Sequence, residues 1–132
     1  MNSSDFVFAP TGAISLPNDA LVVRVPGQID KAHLLHLLAR ELSFPAYFRP
    51  NWDALEECLR DLSWLPPRQP LALCHQGLPL ARRADQRAIF LDILSDAIQA
   101  QRAAGREMVV VFPHDCRQAI AKCQVREDEQ AS

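Results

Sequence analysis

The sequence lacks most features that mark a membrane, secreted or nucleotide-binding protein. Its 132 residues contain four glycines, which leaves little room for a glycine-rich phosphate loop. No stretch approaches the roughly 18 apolar residues that a transmembrane helix needs. The first residues lack the basic segment of a signal peptide, and Pro10, Gly12 and Pro17 interrupt the apolar stretch that follows. We therefore expect a cytoplasmic protein that contacts no membrane.

The net charge and the spacing of possible metal ligands exclude further classes of protein. The formal net charge of −2 gives no reason to expect nucleic acid as a partner. Four cysteines occur, at Cys58, Cys74, Cys116 and Cys123. In a cytoplasmic protein these cysteines stay reduced, and they lack the close pairs of a zinc site. His33 and His36 lie three residues apart, but no third ligand accompanies them. We expect no metal and no cofactor.

No group of residues predicts catalysis. Cys74 and His75 are neighbours at the end of a predicted strand, where adjacent side chains point to opposite faces. They are therefore unsuited to act as a nucleophile and its base. Carboxylates on the exposed face of a helix are solvated and are not poised for acid–base chemistry. We expect that the protein is not an enzyme.

Apolar strands alternate with amphipathic helices along the chain. Three apolar runs predict buried strands at residues 21–25, 71–74 and 108–112. Asp30 is placed to cap one helix, and residues 84–104 have the spacing of the longest helix, which Gly105 ends. The inward face of that helix is predicted to hold Ile89, Phe90, Ile93, Leu94, Ala97 and Ile98. The pattern predicts an α/β fold with a three-stranded parallel sheet packed with about four helices.

The chain is long enough for one core and too short for two ordinary domains. Residues 1–19 are predicted to be an irregular lead-in, in which residues 6–8 form either a short edge strand or a flap. Residues 20–113 form the predicted α/β domain. Residues 114–132 are a predicted tail, with a short helix over residues 116–123 and a disordered polar end.

The most informative stretch is a proline-containing loop followed by a helix, at residues 44–61. Pro45 and Pro50 prevent an uninterrupted helix, and a helix is predicted to begin at about Pro50 or at the cap residue Asn51. Its apolar stripe consists of Trp52, Leu55, Leu59 and Leu62. The opposite side carries Asp53, Glu56, Glu57 and Asp61. Such a row of acids is either a solvated helix face or a docking surface for a basic partner.

The string Phe-Pro-x-Tyr-Phe-x-x-Asn-Trp-Asp-Ala-Leu-x-x-x-Leu-x-Asp at residues 44–61 resembles the signature of the barstar family, small intracellular inhibitors of secreted ribonucleases. The resemblance is dense over this stretch and continues more weakly over about residues 20–113. It implies a barstar-like single domain with a three-stranded parallel sheet, monomeric when free. It also implies a partner, a small basic ribonuclease, whose active site is plugged by an acidic helix face and loop.

The resemblance implies a role for each matching residue. Tyr47 matches the loop aromatic that contacts the nuclease, and Asn51 with Trp52 matches the junction of loop and helix beside it. Asp53 matches the first interface aspartate. Glu57 stands where the family has its most important aspartate, the residue inserted into the nuclease site.

The same stretch departs from the family pattern at several positions. Glu57 reaches one methylene further than an aspartate, and Glu56 replaces an interface tryptophan. Arg49 and Pro50 replace a glycine-containing loop centre. Near the end of the long helix, where the family has another contacting acid, this chain has Ala100 or Gln99. Two alternatives follow: a ribonuclease inhibitor or immunity protein, or an interaction module for another protein with a basic cleft.

Several of these residues also have a structural interpretation. Trp52 belongs to the apolar stripe and can be core as readily as contact. Tyr47 can close the loop over the core, and Asp53 can be a first-turn acid favoured by the helix dipole. Glu57 has the weakest structural reason to be acidic and is the first functional candidate. Glu56 and Asp61 are secondary candidates.

Overall fold

A computed structural model describes residues 6–9 and 16–123 of the chain. The strands are β1 (Val7–Ala9), β2 (Leu21–Val25), β3 (Leu71–His75) and β4 (Met108–Pro113). The helices are α1 (Lys31–Glu41), α2 (Trp52–Asp61) and α3 (Ala84–Ala103). A 3₁₀ turn at His114–Cys116 leads into a last helical segment at residues 117–123.

The four strands form one parallel sheet in the order β1-β4-β3-β2. The predicted parallel α/β fold is confirmed. The sheet has a fourth strand beyond the three predicted, because β1 pairs with β4 at its edge. Phe6 and Phe8 hold this strand, since their ring centroids lie 5.3 and 6.1 Å from that of Phe112. Of the two structures expected for residues 6–8, the edge strand is the one that forms.

A single apolar core lies between the sheet and the helices. Side chains of a strand alternate between the two faces of a sheet, so each strand sends every second residue to this core. Val23 and Val25 of β2, Leu73 of β3, and Val110 and Phe112 of β4 are all fully buried. They meet leucines of α1 and α2 and the buried stripe of α3 in one cluster.

The long helix α3 begins and ends close to its predicted bounds, but one of its predicted core residues is exposed. Ile89 is 39% accessible, whereas Leu91 is 1% accessible. A helix turns about 100° per residue, so residues beside a stripe centred on Phe90, Leu94 and Ala97 divide between core and solvent. Ile89 lies just beyond the outer edge of that stripe. The inward prediction for Ile89 is wrong.

Two left-handed residues end the helices that matter for the site. Gly105 has φ +88° after α3, as predicted for a C-terminal glycine. The amide of Gly105 donates to the Arg102 carbonyl and that of Arg106 to the Gln101 carbonyl, which is the Schellman arrangement. After α2 the left-handed residue is Leu62, with φ +50° and a fully buried side chain.

The predicted flanking segments are only partly within the described residues. Residues 117–123 are helical, within the short helix predicted at residues 116–123. The predicted disordered end, at residues 126–132, lies outside the described residues, as do residues 1–5 and 10–15 of the predicted lead-in. Within the described ranges, none of the helices combines the length and apolarity that crossing a membrane requires.

A histidine is buried at the carboxyl end of β3. The His75 ring stacks on Phe112 with centroids 4.2 Å apart and meets the edge of Phe90 at 5.8 Å. Its Nδ1–H donates to the Val111 carbonyl over 3.1 Å, and Nε2 is buried without a hydrogen-bond partner among the described residues. Burial lowers the pKa of His75 to about 4, although the Val111 bond opposes the shift.

We expect this histidine to make the protein less stable in acid. The folded pKa of about 4 lies below the ordinary histidine pKa of 6.5, so the unfolded chain takes up the proton first. The free energy of unfolding is therefore unaffected by His75 above pH 6.5 and decreases by about 3 kcal/mol as the pH falls from 6.5 through 4. Urea unfolding of wild type and His75→Leu across this range measures the loss. Parallel pH profiles for the two proteins would contradict it.

Candidate protein-binding face

The loop that carries Tyr47 is fixed by aromatic packing beneath it. Phe48 and Phe44 lie 4.9 Å apart between ring centroids, and Phe44 meets the edge of Trp64 at 6.0 Å. The Trp64 indole N–H donates to the Leu42 carbonyl over 2.8 Å. These contacts hold the inner side of the loop against the core and leave Tyr47 63% exposed.

The start of α2 is set by the residues that follow this loop. Asn51 is the N-cap, and its side-chain oxygen accepts a hydrogen bond from the Ala54 amide over 2.8 Å. Asp53 lies in the first turn, where a negative charge is favoured by the helix dipole. Leu55, Leu59 and Leu62 are fully buried, as their spacing predicts. The opposite side of α2 therefore faces solvent.

Two adjoining open grooves run along this exposed side. The α2 groove, of about 470 Å³, is lined by Asp53, Glu56, Glu57, Arg60, Asp61 and Ala100. The loop groove, of about 270 Å³, is lined by Tyr47, Arg49, Asn51, Asp53, Ala54, Glu57 and Cys58. Asp53 and Glu57 line both grooves, so they stand at the centre of the surface. We call the two grooves together the acidic face.

The charges of the acidic face are only partly neutralised. Glu56 pairs with Arg60 over 3.6 Å, four residues along the helix. In the described part of the chain, no cationic nitrogen lies within 4.0 Å of the carboxylates of Asp53, Glu57 or Asp61. Three carboxylates at successive helical turns are therefore free to pair with cations on another molecule.

The Tyr47 phenol lies in the field of these carboxylates. Partial desolvation is the main cause that raises the pKa of Tyr47, and the carboxylates of Asp61 and Glu57 raise it further. The hydroxyl is thus protonated at neutral pH and can donate a hydrogen bond. Burial likewise raises the pKa of the Cys58 thiol, with Glu57 and Asp61 adding to the shift. Cys58 is a neutral, buried residue under the acidic face.

Trp52 lies apart from both grooves. Its ring is stacked on Phe90 at 6.1 Å, and its indole N–H donates to the Gln86 side chain over 2.7 Å. The Lys31 ammonium lies 5.2 Å from the ring centroid on the side of α1. Trp52 is half-buried, so it joins α2 to α3 and α1. Of the seven residues predicted for partner binding, the other six line the acidic face.

We expect Trp52→Ala to destabilise the fold by about 2 kcal/mol, less than the roughly 3–5 kcal/mol typical of a fully buried aromatic. The free energy of unfolding falls because the variant loses the stacking of the indole on Phe90 and its hydrogen bond to Gln86. Thermal or urea unfolding measures the change, with Phe48→Leu as a conservative comparison in the neighbouring loop. A variant that melts like wild type would show that Trp52 does not join the helices.

The C-terminal end of α2 is held by two buried polar side chains from the end of α3. The Gln101 amide nitrogen donates to the carbonyls of Leu59 and Arg60, each over 3.0 Å, and to that of Asp61 over 3.3 Å. The Gln101 oxygen accepts from Arg106 Nε over 2.9 Å. This places Asp61 at a fixed end of the acidic face.

The Arg106 guanidinium continues the same network into the loop after α2. It donates to the carbonyls of Gln69 over 2.7 Å, Leu62 over 3.3 Å and Pro66 over 3.3 Å. Sequence reasoning missed Gln101 and Arg106, because nothing local distinguishes them from surface residues. It also missed Arg60, for which the four-residue spacing to Glu56 was an available indication.

The described residues contain no group of three or more histidine, cysteine, aspartate or glutamate side chains placed to hold a metal ion. His33 is engaged elsewhere, since its Nδ1 lies 2.7 Å from a carboxylate oxygen of Asp30. The surface that the geometry does offer is a set of carboxylates beside an exposed tyrosine, which suits hydrogen bonding and ion pairing to a basic surface.

The fold and the acidic helix define a small parallel α/β protein with an open acidic surface along one helix. The chain belongs to the barstar family: residues 18–113 match the family described as Barstar (barnase inhibitor). Members of this family bind ribonucleases and are inhibitors. Neither the curated proteins nor the solved structures give a significant match to this chain.

Proposed function

We propose that this protein is a cytoplasmic inhibitor, or immunity protein, of a small basic ribonuclease. It acts as a monomer when free, binds no nucleic acid itself and uses no cofactor. Its contact surface is the acidic face, with Asp53, Glu57 and Asp61 as the charged contacts and Tyr47 as the aromatic contact. Asn51 and Glu56 complete the proposed surface, whereas Trp52 lies outside both grooves and joins the helices behind it.

The chemistry of the partner supports this proposal. A ribonuclease active site is basic because it binds RNA phosphates, and carboxylates can occupy the same positions. Arginine pairs with carboxylates through two parallel hydrogen bonds, which are stronger than neutral ones. Opposite fields also accelerate the encounter of the two proteins. A tyrosine beside the charges is a frequent energetic centre of protein interfaces.

One observation carries the proposal more than any other. Asp53 and Glu57 line both grooves, and within the described residues neither carboxylate has a cation within 4.0 Å. Glu57 makes no contribution to the core and caps no helix end. Two unpaired acids at the centre of an open surface are better explained by an external cation than by the stability of the fold.

The test is a titration of the protein into a panel of small microbial ribonucleases, with residual RNA cleavage as the readout. We expect stoichiometric inhibition of one enzyme. Glu57→Ala should weaken that inhibition by roughly ten- to hundredfold, or about 1.4–2.7 kcal/mol. The matched control is Glu107→Ala, because Glu107 is an exposed acid on the loop between α3 and β4. Equal inhibition by Glu57→Ala and wild type would remove the acidic face from the proposal.

A second candidate is an interaction module whose partner has a basic cleft but is not a ribonuclease. Two features of the acidic face favour it. Ala100 lines the α2 groove where the family resemblance implies another acid, and Arg49 adds a cation to the loop groove. Absence of inhibition across the whole panel would support this candidate over the ribonuclease inhibitor.

A further inference from the structure

A third groove lies at the carboxyl ends of β2 and β3, away from the acidic face. Its volume is about 670 Å³, within the range of small-molecule sites. The walls are the loops that follow the two strands and the first turns of α1 and α3. In parallel α/β sheets, ligands bind outside the carboxyl ends of the strands. We call this site the basic groove.

The charged residues that line the basic groove are Lys31, Arg82 and Arg83, against the single carboxylate of Asp30. Two of these four charges are already engaged. Asp30 pairs with His33 over 2.7 Å, and Arg83 pairs with Asp85 over 3.1 Å. Lys31 and Arg82 have no carboxylate within 4.0 Å in the described part of the chain. The groove therefore holds two cations that lack an anionic partner.

One of these cations is held in place by the surrounding structure. The Lys31 ammonium lies 5.2 Å from the centroid of the Trp52 ring, a distance at which the ring attracts a cation. The ring is itself fixed, because its indole N–H donates to Gln86 over 2.7 Å, and Gln86 lines the groove. Lys31 is thus presented to the groove at little further cost in conformational entropy.

We propose that the basic groove binds a small molecule that carries a phosphate group, with Lys31 and Arg82 as the contacts to the phosphate. The dipoles of α1 and α3, whose first turns border the groove, favour an anion there as well. The Asp30 carboxylate opposes an anion at the end of α1, which it already caps by accepting from the His33 amide, so Lys31 and Arg82 are the groups that favour the phosphate. The site is separate from the acidic face, so the proposal does not depend on ribonuclease inhibition.

The two tryptophans of the chain provide an internal control for the test. The Trp52 indole lies beside Lys31 and Gln86, whereas the Trp64 indole N–H is bonded to the Leu42 carbonyl. We would titrate ¹⁵N-labelled protein with inorganic phosphate and with adenosine monophosphate at constant ionic strength. The Trp52 indole resonance is expected to shift and saturate while that of Trp64 stays in place.

Substitution of single arginines tests whether the phosphate binds in the basic groove. Arg82→Ala removes an exposed side chain and should weaken binding of both probes by at least about tenfold. Arg102→Ala, at an exposed arginine in the last turn of α3, should bind like wild type. If adenosine monophosphate binds more tightly than phosphate, the ligand is a phosphate ester. If the two bind equally, the groove recognises the phosphate group alone and the rest of the ester makes no contact.

Three results would overturn the proposal: no saturable shift with either probe, equal shifts of both indole resonances, or equal affinities for Arg82→Ala and Arg102→Ala. The outcome is distinguishable from that of the inhibition assay. Glu57→Ala, which alters the acidic face, should bind phosphate like wild type even where it inhibits no ribonuclease.

Discussion

Glu57→Lys is expected to abolish inhibition in the assay, with a loss of affinity of at least about a thousandfold, or about 4 kcal/mol. The change removes a central carboxylate and places a cation against a basic partner, where like charges in contact cost several kcal/mol. The fold should be almost unaffected, because the Glu57 side chain is exposed on α2. Surface plasmon resonance against the inhibited ribonuclease measures the affinity, and urea unfolding confirms the stability.

A control variant separates the effect of the altered net charge from the effect of its position on the acidic face. Glu107→Lys produces the same change in net charge on an exposed residue that lines neither groove. It should lower the association rate slightly and leave the dissociation rate unchanged, since remote charges act on encounter. If both lysine variants lost affinity equally, the effect would be one of overall charge and the acidic face would not be the binding site.

Arg106→Ala is expected to destabilise the protein by about 3–5 kcal/mol, among the larger effects of a single substitution. Arg106 is 6% accessible, and its guanidinium donates to Gln101 and to the carbonyls of Gln69, Leu62 and Pro66. Removing it takes the donor from the buried side-chain oxygen of Gln101 and from the half-buried Gln69 carbonyl, and a buried acceptor left unsatisfied costs about 1–3 kcal/mol. It also releases Leu62, whose left-handed conformation is unfavourable for a residue with a side chain.

Urea unfolding of Arg106→Ala measures this loss, and the exposed Arg102→Ala provides the comparison, with an expected change within about 0.5 kcal/mol. A conservative Arg106→Lys variant should recover only part of the stability, because lysine lacks the planar set of donors. The idea that Arg106 ties the end of α2 to the following loop would fail if all three variants unfolded at the same urea concentration.

Local periodicity predicted the elements that carry the acidic face. The spacing of Leu55, Leu59 and Leu62 fixed which side of α2 is buried, and all three are fully buried. Asn51 was identified as a cap because its side chain acts on an amide three residues away. Such features depend on neighbours within one or two turns, and a sequence displays them directly.

Other features depend on residues far apart in the chain. β1 pairs with β4 about a hundred residues later, and its three residues are too few for a reliable local pattern. Ile89 shows the limit of periodicity, because the exact centre of a buried stripe is set by the neighbouring helix and strands. Trp52 was open to two interpretations, and its contacts with Phe90 and Gln86 of α3 show that it joins helices.

The sequence by itself determined the parallel α/β class, the family resemblance and the row of acids on one side of α2, because each is written in residue types and short spacings. Only the tertiary structure decided which acids lack a cation, that Asp53 and Glu57 are shared by two grooves, and that Arg106 holds the end of α2. The bond from Arg106 to the Leu62 carbonyl joins segments 44 residues apart, and the grooves depend on how the loop and α2 pack on the core, so these features exist only once the chain has folded.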